Sequence, residues 1–202
     1  MKWISLGQSC LASYHLRKLG LQRETHFFDW IVTSQNTVIK VLEMNDQDQL
    51  RRALTENVQF ERELFEGHKA FTCQSLGLRS VHDLPADGDR PDRFRFHFVD
   101  KYIRRYNRLV EVLNSEEPVM FVMTLKKFEP TDKLTSTIQN IFPTLNFHLI
   151  LIIEESNHEC IKEKKVTTVF LEDYLLKPGA RQTHWSLDQY DWNRILKKNI
   201  LV

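Results

Sequence analysis

The stretch VMFVMTLKKFEPTDKLTSTIQNIFPTLNFHLILII, residues 119–153, decides the fold class. Its two ends, 119–125 and 147–153, are apolar at almost every position and lack the alternation that one wet face would impose, so each reads as a strand buried on both sides. Between them the chain turns polar, and a helix is expected after Thr131. Strand, helix, strand with both strands continuously apolar is the pattern of a parallel sheet covered on its two faces. VTTVFL (166–171) repeats the strand signature, and a last helix is expected from about Leu187 to Lys197.

Upstream, FVDKYIRRYNRLVEVL (98–113) places Tyr102, Ile103, Tyr106, Leu109, Val110 and Leu113 at helical spacing, with Lys and Arg on the opposite side. WISL (3–6) reads as a short buried strand, and GQS turns it into a helix from about Cys10 to Leu19 that Gly20 closes. Ser34 can cap a second helix, and NDQDQLRRAL (45–54) a third. Residues 57–95 carry no clean period and read as an irregular insertion. Residues 1–202 are thus expected to form a single α/β domain: a three-layer, Rossmann/flavodoxin-like, mostly parallel sheet. Strand 3–6 would lie near its centre, with a helical and irregular insertion, about 57–95, after that first strand.

The 202 residues are 42% hydrophobic, enough to bury one sizeable core. Twenty-eight Lys and Arg against twenty-seven Asp and Glu leave a net charge of +1, so no global field draws the chain to nucleic acid or an anionic membrane. MKWISLGQSC is too short in apolar residues for a signal-peptide core, and no segment is apolar enough to span a bilayer. Cys10, Cys73 and Cys160 are an odd number with no CxxC pair, which argues against a disulfide framework or structural zinc and fits a reducing cytoplasm. No GxGxxG or P-loop is present, so no nucleotide site is expected, and HKAFTC and NHEC bring His and Cys near each other without a second pair at ligand spacing, so neither a metal nor a cofactor is expected.

Cys10 is the leading candidate for chemistry. After a strand of an open α/β sheet, a cysteine in the first helical turn feels the helix dipole and unpaired N–H groups, which favour thiolate and can hold an oxyanion. The same cysteine could simply pack the helix against the sheet. The base would be a loop-borne histidine: His82 in SVHDLP (80–85), or His184 in THWS (183–186) before the final helix. Asp83 need not orient His82, because neighbouring side chains of an extended segment point to opposite faces. In FFDW (27–30), the aromatics are expected to anchor the segment at the sheet edge, leaving Asp29 to cap helix ends or orient a histidine. Gln8, Ser9 and Trp30 flank these residues and are expected to contact substrate. Between Arg90 and Arg108 stand seven Lys/Arg and two Asp, and Arg104 and Arg105 could reach an anionic or glycan ligand.

In order, ISLGQSCLASYHLRKLGL, FFDWIV, SVHDLP, KYIRRYNRL and VMFVM resemble a family of bacteria and large DNA viruses described as papain-like cysteine peptidases. The resemblance covers roughly the first 125 residues and continues more weakly to Trp185 and Trp192. It implies Cys10 as nucleophile, His82 as its base, and Asp29 or Asp83 as the residue that orients His82. GQSC after a strand and THWS before the last helix are also similar to the first and last blocks of SGNH-type esterases, with cysteine in the serine position.

Three functions follow as expectations. The first is a cytoplasmic cysteine hydrolase acting on a peptide or acylated small molecule through Cys10 and His82. The second is an SGNH-like esterase or acyltransferase using Cys10, or Ser9, with His184. The third is a binding module for an anionic or glycan ligand, with Cys10 merely packed.

Overall fold

The computed structural model describes residues 1–44, 46–65, 67–85, 91–155, 165–175 and 186–198. In chain order its elements are β1 (Lys2–Ser5), α1 (Leu11–Lys18), β2 (Ile31–Val32), α2 (Gln35–Leu42), α3 (Gln47–Thr55), β3 (Val58–Phe65), β4 (His68–Cys73) and β5 (Leu78–Pro85). Next come α4 (Pro91–Phe94), a π-helical turn (Arg95–Val99), α5 (Asp100–Leu113), β6 (Val119–Leu125), α6 (Asp132–Ile141), β7 (Phe147–Ile153), β8 (Val166–Phe170), a 3-10 turn (Leu171–Tyr174) and α7 (Trp192–Lys198). The fold is mixed α/β.

The expected parallel sheet is present, with strand order β1-β6-β7-β8 and every pairing parallel. Both faces are buried, which is why β6 and β7 read as unbroken apolar runs. Ile4, Phe121, Met123, Leu149 and Leu151 face a large cluster that includes residues of α2, α3, α5 and α6. Trp3, Met120, Val122, Ile150 and Ile152 face a smaller one with Leu11, Ala12 and Leu16 of α1 and Trp192, Ile195 and Leu196 of α7.

Two expectations are corrected. β1 is an edge strand of the described sheet, not a central one. Trp3, Ile4 and Ser5 are nonetheless buried, and just past the strand Thr33 Oγ1 donates to the Leu6 carbonyl (3.2 Å). The insertion is not irregular either. Residues 58–85 form three strands of a second, antiparallel sheet of order β2-β5-β4-β3. Register shifts between Phe60 and Leu64 and between Lys69 and Phe71 break the alternation that would mark these strands. Phe71, Leu78 and Leu84 of this sheet belong to the large apolar cluster together with Ile4 and Phe121.

Local signals explain the helix ends. Gly20, at φ +69°, closes α1: its N–H bonds the Arg17 carbonyl, and that of Leu21 reaches back to Leu16. Ser34 Oγ accepts the Thr37 N–H and opens α2. The final helix starts later than Leu187, because residues 187–190 form a turn and Asp191 Oδ1 then accepts the Arg194 N–H. Among the described residues no helix is long and apolar enough to cross a membrane.

Candidate active site

The path from β1 to α1 is a tight turn built on two left-handed residues, Gly7 at φ +83° and Gln8 at φ +60°. A Cβ on Gly7 would stand 2.2 Å from Thr33 Oγ1, so only glycine fits. Thr33 Oγ1 also accepts the Gln8 N–H (3.0 Å), and Ser5 Oγ accepts that of Gly7 (3.2 Å). Ser9 Oγ accepts the Leu11 N–H (3.3 Å) and shares a hydrogen bond with Thr124 Oγ1 at the carboxyl end of β6 (3.0 Å). Cys10 follows as the residue that opens α1. Its carbonyl accepts the Tyr14 N–H, its thiol does not cap the helix, and it is 8% exposed.

One turn along α1, Ser13 ties this helix to the FFDW segment. Its hydroxyl donates to Asp29 Oδ1 (3.0 Å) and accepts the Trp30 N–H (3.4 Å). Asp29 Oδ2 accepts from Gln22 Nε2 and from the His26 N–H, both at 2.7 Å. Burial drives the Asp29 carboxyl up to about 6, while the His26 N–H and Ser13 hydroxyl pull the other way. Phe27 and Phe28 are wholly buried, and Phe27 meets the edges of Tyr102 and Tyr106. Trp30, left-handed at φ +67°, sets its ring edge-to-face with His82 at 6.2 Å. Ser13 of α1, Asp29, Trp30 and His82 of β5 thus form a continuous run of contacts.

Asp83 faces α5. Its carboxylate accepts from Lys101, from the Tyr102 hydroxyl (2.7 Å) and from Ser80 (2.9 Å). Arg105 is buried, with its guanidinium over the Tyr102 ring and one N–H donated to the Asp29 carbonyl (3.3 Å); Arg104 is exposed. His184, Trp185 and Cys160 lie outside the described residues. The chain resumes at Ser186, whose carbonyl is 2.6 Å from Nε2 of His15 on α1, and Asp188 pairs with Lys18 of the same helix at 2.7 Å. His15 stacks on Trp192 at 3.8 Å, and burial lowers its pKa to about 4, so it is neutral near pH 7.

Ser13, Thr33, Thr124 and Gln22 are not among the expected site residues. Thr124 carried a signal, being a polar residue at the carboxyl end of an otherwise apolar strand. Ser13 carried another, three residues from Cys10 on a buried helix face where a hydroxyl needs a partner.

The thiol of Cys10 stands at the positive end of a helix that follows the carboxyl end of a parallel strand, and His82 meets the ring of Trp30, whose N–H bonds Ser13 of that helix. The chain is similar to an uncharacterized protein, R408, of Acanthamoeba polyphaga mimivirus, with 26% identity over 223 residues and 96% of each chain covered. No solved structure gives a significant match. Residues 1–157 match the model of the family described as "Putative papain-like cysteine peptidase (DUF1796)", and the chain belongs to that family.

Proposed function

We propose that the protein is a cysteine hydrolase in which the Cys10 thiolate attacks the carbonyl carbon of a peptide or other acyl substrate. The observation that carries this reading is the position of Cys10: it opens α1 on a turn that admits only glycine at position 7. Fixed N–H dipoles there stabilise negative charge on sulfur and then on the tetrahedral oxygen. His82 takes the thiol proton and returns it to the leaving group as the carbonyl–leaving-group bond breaks. Water then attacks the thioester as His82 takes one of its protons, and Cys10 leaves as thiolate. Asp29 acts as a positioning residue, because its carboxylate holds Ser13 on α1 and its neighbour Trp30 meets His82. Asp83, bonded to Lys101 and Tyr102, holds the end of β5 that carries His82. Gln8, Ser9 and Trp30 border the substrate.

A second reading keeps Cys10 and takes His184 as the base, in a three-layer, SGNH-like arrangement. It is supported by Ser186, two residues after His184, whose carbonyl meets His15 on the helix that Cys10 opens. It is also supported by the apolar clusters on both faces of the parallel sheet.

Alkylation by iodoacetamide at pH 7, followed residue by residue, tests both readings. Cys10 should react faster than the thiol of free glutathione, and His82→Ala should slow it. Slowing by His184→Ala alone transfers the base to the second reading. A Cys10 that reacts no faster than glutathione overturns both.

A further inference from the structure

On β6, Met120 and Val122 face the apolar cluster that α1 covers, and by strand alternation Thr124 is the next residue on that face, where the apolar stripe gives way to a hydroxyl. Thr124 is 1% exposed, and Ser9, the residue before Cys10, is its one hydrogen-bond partner among the described residues, at 3.0 Å. Distance alone lets either hydroxyl donate, and burial decides between them. If Ser9 donated, the Thr124 hydrogen would sit in the core without an acceptor, whereas the half-buried Ser9 can turn its own hydrogen outward. Thr124 is therefore the donor. Ser9 Oγ then accepts twice, from Thr124 and from the Leu11 N–H (3.3 Å), and its own hydrogen takes the remaining direction, away from both.

We infer that Thr124 is a positioning residue for Cys10, an inference that rests on the reading of Cys10 as a thiolate nucleophile. Two donors from different elements, β6 and α1, pin Ser9 Oγ, so the hydroxyl keeps one orientation and its positive end stays free at the turn that delivers Cys10. That fixed dipole adds to the N–H groups of the first turn of α1 in favouring charge on sulfur. Without Thr124 Oγ1, only the 3.3 Å bond to the Leu11 N–H holds Ser9. The hydroxyl then spreads over its staggered rotamers, and its contribution falls.

The test is the pH profile of Cys10 alkylation by iodoacetamide in the full chain, compared among the parent, Thr124→Val, which keeps the shape and removes the hydroxyl, and Thr124→Ser, which keeps the donor. Thr124→Val should raise the midpoint and slow alkylation at pH 7 about fivefold, the effect of one hydrogen bond. The plateau at high pH and the alkylation of Cys73 should stay as in the parent, and Thr124→Ser should restore the parent profile. Should Thr124→Val fail to fold, Thr124→Ala carries the same expectation. A lowered midpoint means that Ser9 donates instead and overturns the inference. So does an unchanged midpoint, or a change in the plateau alone, which is the mark of altered access. A parent midpoint no lower than that of glutathione overturns the reading of Cys10 itself, and the inference with it.

Discussion

Cys73, at the end of β4, is fully buried; its thiol donates to the Ala53 carbonyl at 2.9 Å, and burial raises its pKa. Cys10 is also buried, but it opens a helix. The difference lies in the backbone. In the antiparallel sheet around Cys73 the peptide dipoles of neighbouring strands largely cancel, whereas in α1 they add and end at Cys10. The surroundings differ in the same sense: Cys73 belongs to the apolar cluster, while one turn beyond Cys10 stands the polar set Ser13, Asp29, Gln22 and His26. Two cysteines of similar burial thus meet opposite electrostatics, and burial alone would not have separated them.

The strongest way to break this contrast is removal of each thiol in turn. Cys10→Ala should lower kcat/KM on any acyl substrate the protein turns over by at least ~10³-fold, while Cys73→Ala leaves the rate within about threefold and costs only stability. Equal losses would erase the distinction. Gly7→Ala attacks the backbone itself: a Cβ 2.2 Å from Thr33 Oγ1 at φ +83° should cost roughly 3 kcal/mol in urea unfolding and slow Cys10 alkylation without touching that of Cys73.

Acid sharpens the contrast further. Burial lowers His15 and His26 to about 4, so the stability they lend is complete above their unfolded value near 6.5 and is lost as pH falls through 4. Asp29, raised to about 6, acts in reverse and favours the fold as it protonates below that pH. Each shift corresponds to about 3 kcal/mol, so two histidines against one carboxyl leave a net loss of roughly 3 kcal/mol between pH 7 and 4. Hydrogen exchange should show it in α1 and the 22–30 segment before β4. Asp29→Asn should cost about 1 kcal/mol at pH 7, because its carbonyl oxygen can still accept from Gln22 and His26 while its NH2 would face the Ser13 hydroxyl that now donates to the carboxylate. An effect no larger is expected of Ser9→Ala, about 1 kcal/mol by thermal melting, from loss of its bonds to the Leu11 N–H and Thr124.

Much of the parallel sheet was legible because its determinants are local. A strand covered on both faces must be apolar at each position, and β6 and β7 are. The Ser34 cap, the Gly20 stop and the α5 stripe are likewise written within a few residues of where they act. The antiparallel sheet was not legible. Its shifts at Phe60–Leu64 and Lys69–Phe71 change the phase of the alternation, and β2 is two residues long.

At the site, the sequence by itself determined that a glycine turn delivers Cys10 to a helix start, and it marked Asp29 and His82 as residues of interest. Only the tertiary structure decided that β1 lies at an edge, that Trp30 stands between Ser13 of α1 and His82, and that Asp83 turns toward α5. The physical reason is range: caps, turns and apolar periods act over a few residues, whereas strand order and the partners of a buried carboxyl depend on segments tens of residues away. Asp29 and Asp83 look alike along the chain, and only packing gives one to Ser13, Gln22 and His26 and the other to Lys101 and Tyr102.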